Sequence, residues 1–128
     1  MANVLSLGDI AGRPPRFLEF QIPALGGAVR FREPSKAEAD RRRKAFREAL
    51  EEDPSGAAFE AQMVRLVLDL AADAAGARLF AEEGPGSFAE SVGVQAAREL
   101  IDAAQAACGW RDLEREKNGS APTPSAAG

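Results

Sequence analysis

A chain of 128 residues with a formal net charge of −4 and a pI of about 4.9 has room for one core and no overall basic attraction for nucleic acid. It holds 27 alanines, 7 phenylalanines and one tryptophan, with no tyrosine or histidine. The missing histidine excludes Ser/His/Asp and Cys/His nucleophiles and removes the commonest general base and metal ligand.

Alanine favours helix and close helix packing but adds little burial per residue. A thin core is therefore expected, helped by partners or by self-association. Cys108 is the single cysteine, which rules out an internal disulfide and suits a reducing compartment. No run reaches the length of a membrane span, and the first residues carry no basic leader. The expected location is cytoplasmic.

In chain order, residues 1–16 mix short apolar pieces with Gly8, Gly12, Pro14 and Pro15 and read as a flexible arm. Residues 17–33 read as a β-hairpin. Leu18, Phe20 and Ile22 alternate with Glu19 and Gln21, and Val29 and Phe31 alternate with Arg30 and Arg32. Pro23 to Gly27 is the break between them, and Pro34 ends the strand pattern. This hairpin is expected to be the only β structure.

Ser35 and Glu38 form a capping-box pattern, opening a first helix to about Glu52. Its stripe is thin, Ala39, Phe46, Ala49 and Leu50, and its polar load is heavy. Asp53-Pro54-Ser55-Gly56 stops it. The second helix spans about 57–75. Phe59, Met63, Leu66, Val67, Leu70 and Ala74 share one face, and Val64 and Leu68 widen it. Gly76 stands where a left-handed cap would end it.

Leu79 and Phe80 lead into Glu82-Glu83-Gly84-Pro85-Gly86. Ser87 and Glu90 suggest another capping box and a short helix that Gly93 interrupts. A further helix carries Val94, Ala97, Leu100, Ile101, Ala104 and Cys108, with Gly109 as its cap. Trp110 and Leu113 suggest a last short helix, and residues 118–128 read as a disordered tail. The expected fold is mainly α: an N-terminal β-hairpin, then a bundle of three to five helices in one domain over 17–117, then a disordered C-terminal tail.

Chemistry is sparse. Cys108 lies on an apolar helix face and reads as a packed thiol. Asp69 and Asp73 are spaced for a metal but read better as a solvated helix edge. Gly84-Pro85-Gly86 lacks the lysine of a phosphate loop and reads as a turn. Arg41 to Lys44 wraps more than a full helical turn, so it forms no single groove-reading face. These features point to a binding or assembly protein without a cofactor, not an enzyme.

Three ordered segments carry a family resemblance. The run Ile22-Pro23-Ala24-Leu25-Gly26-Gly27-Ala28-Val29-Arg30-Phe31-Arg32-Glu33 resembles a V-P-x-W-G-G-x-V-x-V-R-x-L opening, with the aromatic replaced in Ala24-Leu25 and the last apolar residue by Pro34. Asp73 to Phe80 resembles D-x-x-G-x-x-L-F. Leu100 through Gly109 to Asn118 resembles a closing helix and an L-E-K-N end. Together they are similar to the tail assembly chaperones of long-tailed, siphovirus-type phages. The resemblance implies a helical protein that coats the tape-measure protein before tail-tube polymerisation and is absent from the mature virion. It also implies a possible frameshifted longer form that recruits the tail-tube protein. The competing reading is a head–tail or tail adaptor subunit kept in the particle. On either reading no membrane contact is expected, and nucleic-acid binding is not favoured. The client is expected on the side of the second helix that carries Val64 and Leu68, unless these two pack inward.

Overall fold

The computed structural model describes residues 4–80 and 85–110. It is mainly helical, with a small antiparallel sheet near its N-terminus. Within the expected arm, Leu7–Ala11 forms a short helix, α1, opened by a reciprocal capping box between Ser6 and Asp9. Side-chain-to-backbone bonding of this kind is local and escapes a reading based on apolar periodicity.

The hairpin follows as β1 (Phe17–Ile22) and β2 (Gly27–Arg32). Opposed pairs such as Leu18↔Phe31 and Phe20↔Val29 put both apolar sets on one face. Pro23–Leu25 forms a single 3₁₀ turn that ends at Gly26. Gly26 has φ +74°, a left-handed value that the absent Cβ makes affordable.

Ser35 caps α2 (Lys36–Glu52), its hydroxyl accepting the Glu38 N–H at 3.1 Å. The reciprocal half of the box is missing. The Glu38 carboxylate instead accepts two hydrogen bonds from Arg32, at 3.2 and 3.1 Å, and lies 3.8 Å from Arg42. Arg42 in turn pairs with Asp69, which also meets Arg78. This chain of charges joins β2, α2 and the next helix.

The Arg32 hydrogen bonds hold the Glu38 carboxyl below its ordinary value of 4.5. A depressed folded pKa contributes stability that is present above the unfolded pKa and lost as pH falls through the folded one. Melting temperature should therefore drop on acidification below about pH 4.5, and Glu38→Gln should flatten that part of the profile. An identical profile in the variant would remove Glu38 from the account.

Asp53 accepts N–H bonds from Ser55 and Ala58 and so organises the turn before α3 (Ala57–Leu70). The expected second helix is cut short at Leu70. Ala71–Ala72 leave it as a third strand, β3, paired with Arg30 and Phe31 of β2. The hairpin is therefore not the only β structure, and the sheet order is β1-β2-β3. Alanine prefers helix, so tertiary pairing overrides propensity at this point.

The turn that follows gives D-x-x-G a physical meaning. Asp73 Oδ1 accepts N–H bonds from Ala75 and Ala77 at 2.9 and 3.0 Å. Gly76 takes φ +89°, and a Cβ there would stand 3.4 Å from the Phe17 ring. Gly76 thus serves a tight turn, not a helix cap. Arg30 donates to the Ala74 carbonyl at 3.0 Å, tying this turn to β2.

The helix α4 spans Pro85–Ser91. Ser87 therefore lies inside it and is not its cap. Gly93 precedes α5 (Val94–Ala107) as its N-cap. Gly109, at φ +79°, closes α5 with a Schellman motif: Gly109 N–H donates to Ala106 O and Trp110 N–H to Gln105 O. The expected last helix beyond Trp110 and the expected disordered tail lie outside the described residues.

The core sits where α3 meets the inner sheet face, α4 and α5. Ile22, Phe31, Leu66, Val67, Leu68, Leu70 and Leu100 are fully buried. Phe20 packs edge-on to Phe31 at 5.9 Å, and Phe80 to Phe88 at 5.5 Å. On α5 the buried residues are Ala96, Leu100, Ala103, Ala104 and Ala107. The buried face is thus rotated from the expected one, leaving Val94 exposed.

Candidate interaction cleft

A cleft of about 1490 Å³ lies between the arm, β1, the start of α2 and the end of α5. Its apolar lining includes Leu18, Phe20, Ala39, Ala106, Cys108 and Trp110. A second hollow of about 440 Å³ is lined by Arg43, Phe46, Arg47, Phe59, Met63, Gln105 and Trp110. Arg43 and Trp110 line both, so one surface runs from β1 across Trp110 to the α2–α3 seam.

Local structure places Trp110. The Schellman closure turns the backbone at Gly109 and brings the indole back over α2. There it stands edge-on to Phe46 at 5.2 Å, and Phe46 stands edge-on to Phe59 at 5.8 Å. The Arg43 guanidinium lies 5.9 Å from the Trp110 ring centre, within cation–π range. Among the described residues Arg13, Arg43 and Arg47 have no ion-pair partner, whereas Arg16, Arg32 and Lys36 are matched by Glu33, Glu38 and Asp40. The unmatched charge around the surface is therefore positive.

Cys108 lines the cleft, and burial pushes its thiol up to about 11. It stays protonated at neutral pH and is a poor nucleophile. Among the described residues no group of three or more metal-binding side chains converges. Asp69 is engaged by Arg42 and Arg78, and Asp73 by its own turn, so the two do not form a pair open to a cation. No helix among the described residues is long and apolar enough to cross a membrane.

The expected client face on α3 needs correction. Leu68 is fully buried, and Val64 is half-buried against the core. Helices α2, α4 and α5 all pack on α3, so its wide apolar arc is consumed by the core. The hairpin motif is structural. Ile22 and Phe31 are fully buried, Val29 packs beside them, Pro23 starts the turn, Gly26 supplies the positive φ, and Gly27 pairs with Ile22. The basic run divides among three tasks: Arg42 bridges Glu38 and Asp69, Arg43 covers Trp110, and Lys44 faces Glu48 at 3.9 Å.

Trp110 and Arg43 were not among the expected site residues. One signal was available: a lone tryptophan immediately after a glycine that closes a helix. No known family model, curated protein or solved structure matches this chain.

Proposed function

We propose that this chain is an assembly chaperone of a long-tailed phage that holds a helical tape-measure protein until the tail tube forms around it, and that it is not an enzyme. The observation that carries the reading is the surface of mixed apolar and polar lining that runs through both hollows by way of half-buried Trp110, with Arg13, Arg43 and Arg47 at its rim. Helix-in-groove recognition uses apolar anchors seated in such a surface, with tryptophan and arginine common among the energetic centres. An amphipathic client helix with acidic flanks would match both its floor and its rim. The ordered hairpin, turn and closing-helix motifs support the same assignment.

Co-expression with the tape-measure protein encoded in the same phage genome tests this. The client should stay soluble and co-purify with the chain. Trp110→Ala should weaken the complex by roughly thirty-fold or more, the size of a hot-spot loss. Arg43→Glu should weaken it with little change in helical content, because Arg43 is exposed. Mass spectrometry of purified virions should find the chain absent; its presence there would favour the adaptor reading.

A further inference from the structure

We infer that α1 is a second wall of the partner site, so that the partner is a helix with two apolar faces separated by acidic residues, held between α1 and Trp110. The inference rests on the helix-holding reading of the cleft and adds which helices fit it. Among the described residues eight large apolar side chains are exposed, and four of them, Val4, Leu5, Leu7 and Ile10, lie in the arm. Single exposed hydrophobics are ordinary, whereas a cluster marks a contact surface. No residue of α1 is buried. Leu7 and Ile10 are 81% and 58% exposed, and their spacing of three puts them on one helix face. Ile10 lines the cleft, so that face borders it.

The arm holds this face in place. Ser6 and Asp9 satisfy each other's backbone N–H at the start of α1, and the Gly12 N–H reaches Gly8 O at 2.9 Å at its end. Pro14 and Pro15 have fixed φ and stiffen the link to β1. The link is anchored at Arg16. Its carbonyl accepts the Glu33 N–H at 2.8 Å, and its guanidinium meets the Glu33 carboxylate at 2.9 Å. A helix of five residues is marginal in water by itself. A partner that covers its apolar face supplies the packing that α1 lacks.

The cleft indicates what that partner is. The end of α5 supplies the other wall, where Ala106, Cys108 and Trp110 are only part-buried. Each wall carries an arginine with no ion-pair partner among the described residues, Arg13 just beyond α1 and Arg43 over Trp110. A helix with its side chains is about 10–12 Å across, so a cleft of about 1490 Å³ admits about three turns of one. Two apolar walls with an arginine on each select a helix that is apolar on two faces and carries carboxylates between them. The arm of a second copy fits worse, because it would set Arg13 of the second copy against these arginines.

The test uses the full chain, Trp110 emission and two tryptophan-free, acidic helical peptides of about 18 residues, long enough to hold a helix. One peptide carries leucines on a single face; the other carries a second leucine face. The two-faced peptide should bind the wild type about tenfold tighter or more, the effect of covering two further apolar side chains. The double variant Leu7→Ser, Ile10→Ser should erase that preference and bind the one-faced peptide as the wild type does. Circular dichroism and melting should stay unchanged in the variant, since neither side chain is buried. Equal binding of the two peptides by the wild type, or a preference that survives in the variant, would overturn the inference and leave the reading of the Trp110 surface standing. Binding of neither peptide would overturn that reading and the inference together. A blue shift with protein concentration alone would assign the cleft to a second copy and overturn the inference as well.

Discussion

Leu68→Glu should leave no folded protein. Leu68 is fully buried beside Leu66, Val67 and Leu70, and among the described residues no cationic side chain is buried in the core to receive a carboxylate. Burying an unpaired charge exceeds the roughly 5–15 kcal/mol by which a domain of this class is stable, and protonating the group still leaves a polar atom without a partner. Far-UV circular dichroism and soluble yield are the readouts. Leu66→Glu should behave in the same way, since Leu66 is equally enclosed. A Leu68→Glu variant that keeps its helices and loses only client binding would show that α3 offers this side chain to a partner.

Phe31→Ala should have the next largest effect. Phe31 is fully buried, stacks edge-on against Phe20 and pairs through its backbone with both Leu18 and Ala71. Truncation leaves a ring-sized cavity at the crossing of sheet and helices. Phenylalanine-to-alanine changes in such positions cost about 3–5 kcal/mol. For a thin core that is a large share of the total, so urea unfolding should show a strongly lowered midpoint with a nearly unchanged slope. A loss near 1 kcal/mol, typical of an average substitution, would mean that the sheet contributes little to the core.

The parts of the fold written in apolar periodicity were legible. The alternation from Leu18 to Phe31 specifies the hairpin face, and Met63, Leu66, Val67 and Leu70 specify the buried side of α3. Ser35 marks the start of α2, and Asp53 to Gly56 mark its end. Local hydrogen-bonding residues announce such boundaries. What was not legible has no side-chain signature of its own. Ala71 and Ala72 carry no two-residue period, so only their pairing with β2 makes them a strand.

The site is less legible in the sequence, for a related reason. A wide apolar arc on one helix says how much surface wants cover but not what covers it. In this fold α2, α4 and α5 surround α3, so Leu68 goes inside and Val64 packs against the core. The surface around Trp110 is assembled instead from separate segments. Leu18 comes from β1, Arg43 and Phe46 from α2, Phe59 and Met63 from α3, and Trp110 from just beyond α5. Residues so distant in sequence share no periodicity that could reveal them.

Trp110 is the only tryptophan, half-buried at the centre of the proposed client surface. Its fluorescence therefore tests the account most directly, using a tryptophan-free, helical segment of the tape-measure protein as titrant. A saturable blue shift is expected as the client helix covers the indole, weakened in Arg43→Glu. Formation of the complex with no change in Trp110 emission would contradict it, because the client would then lie on another face.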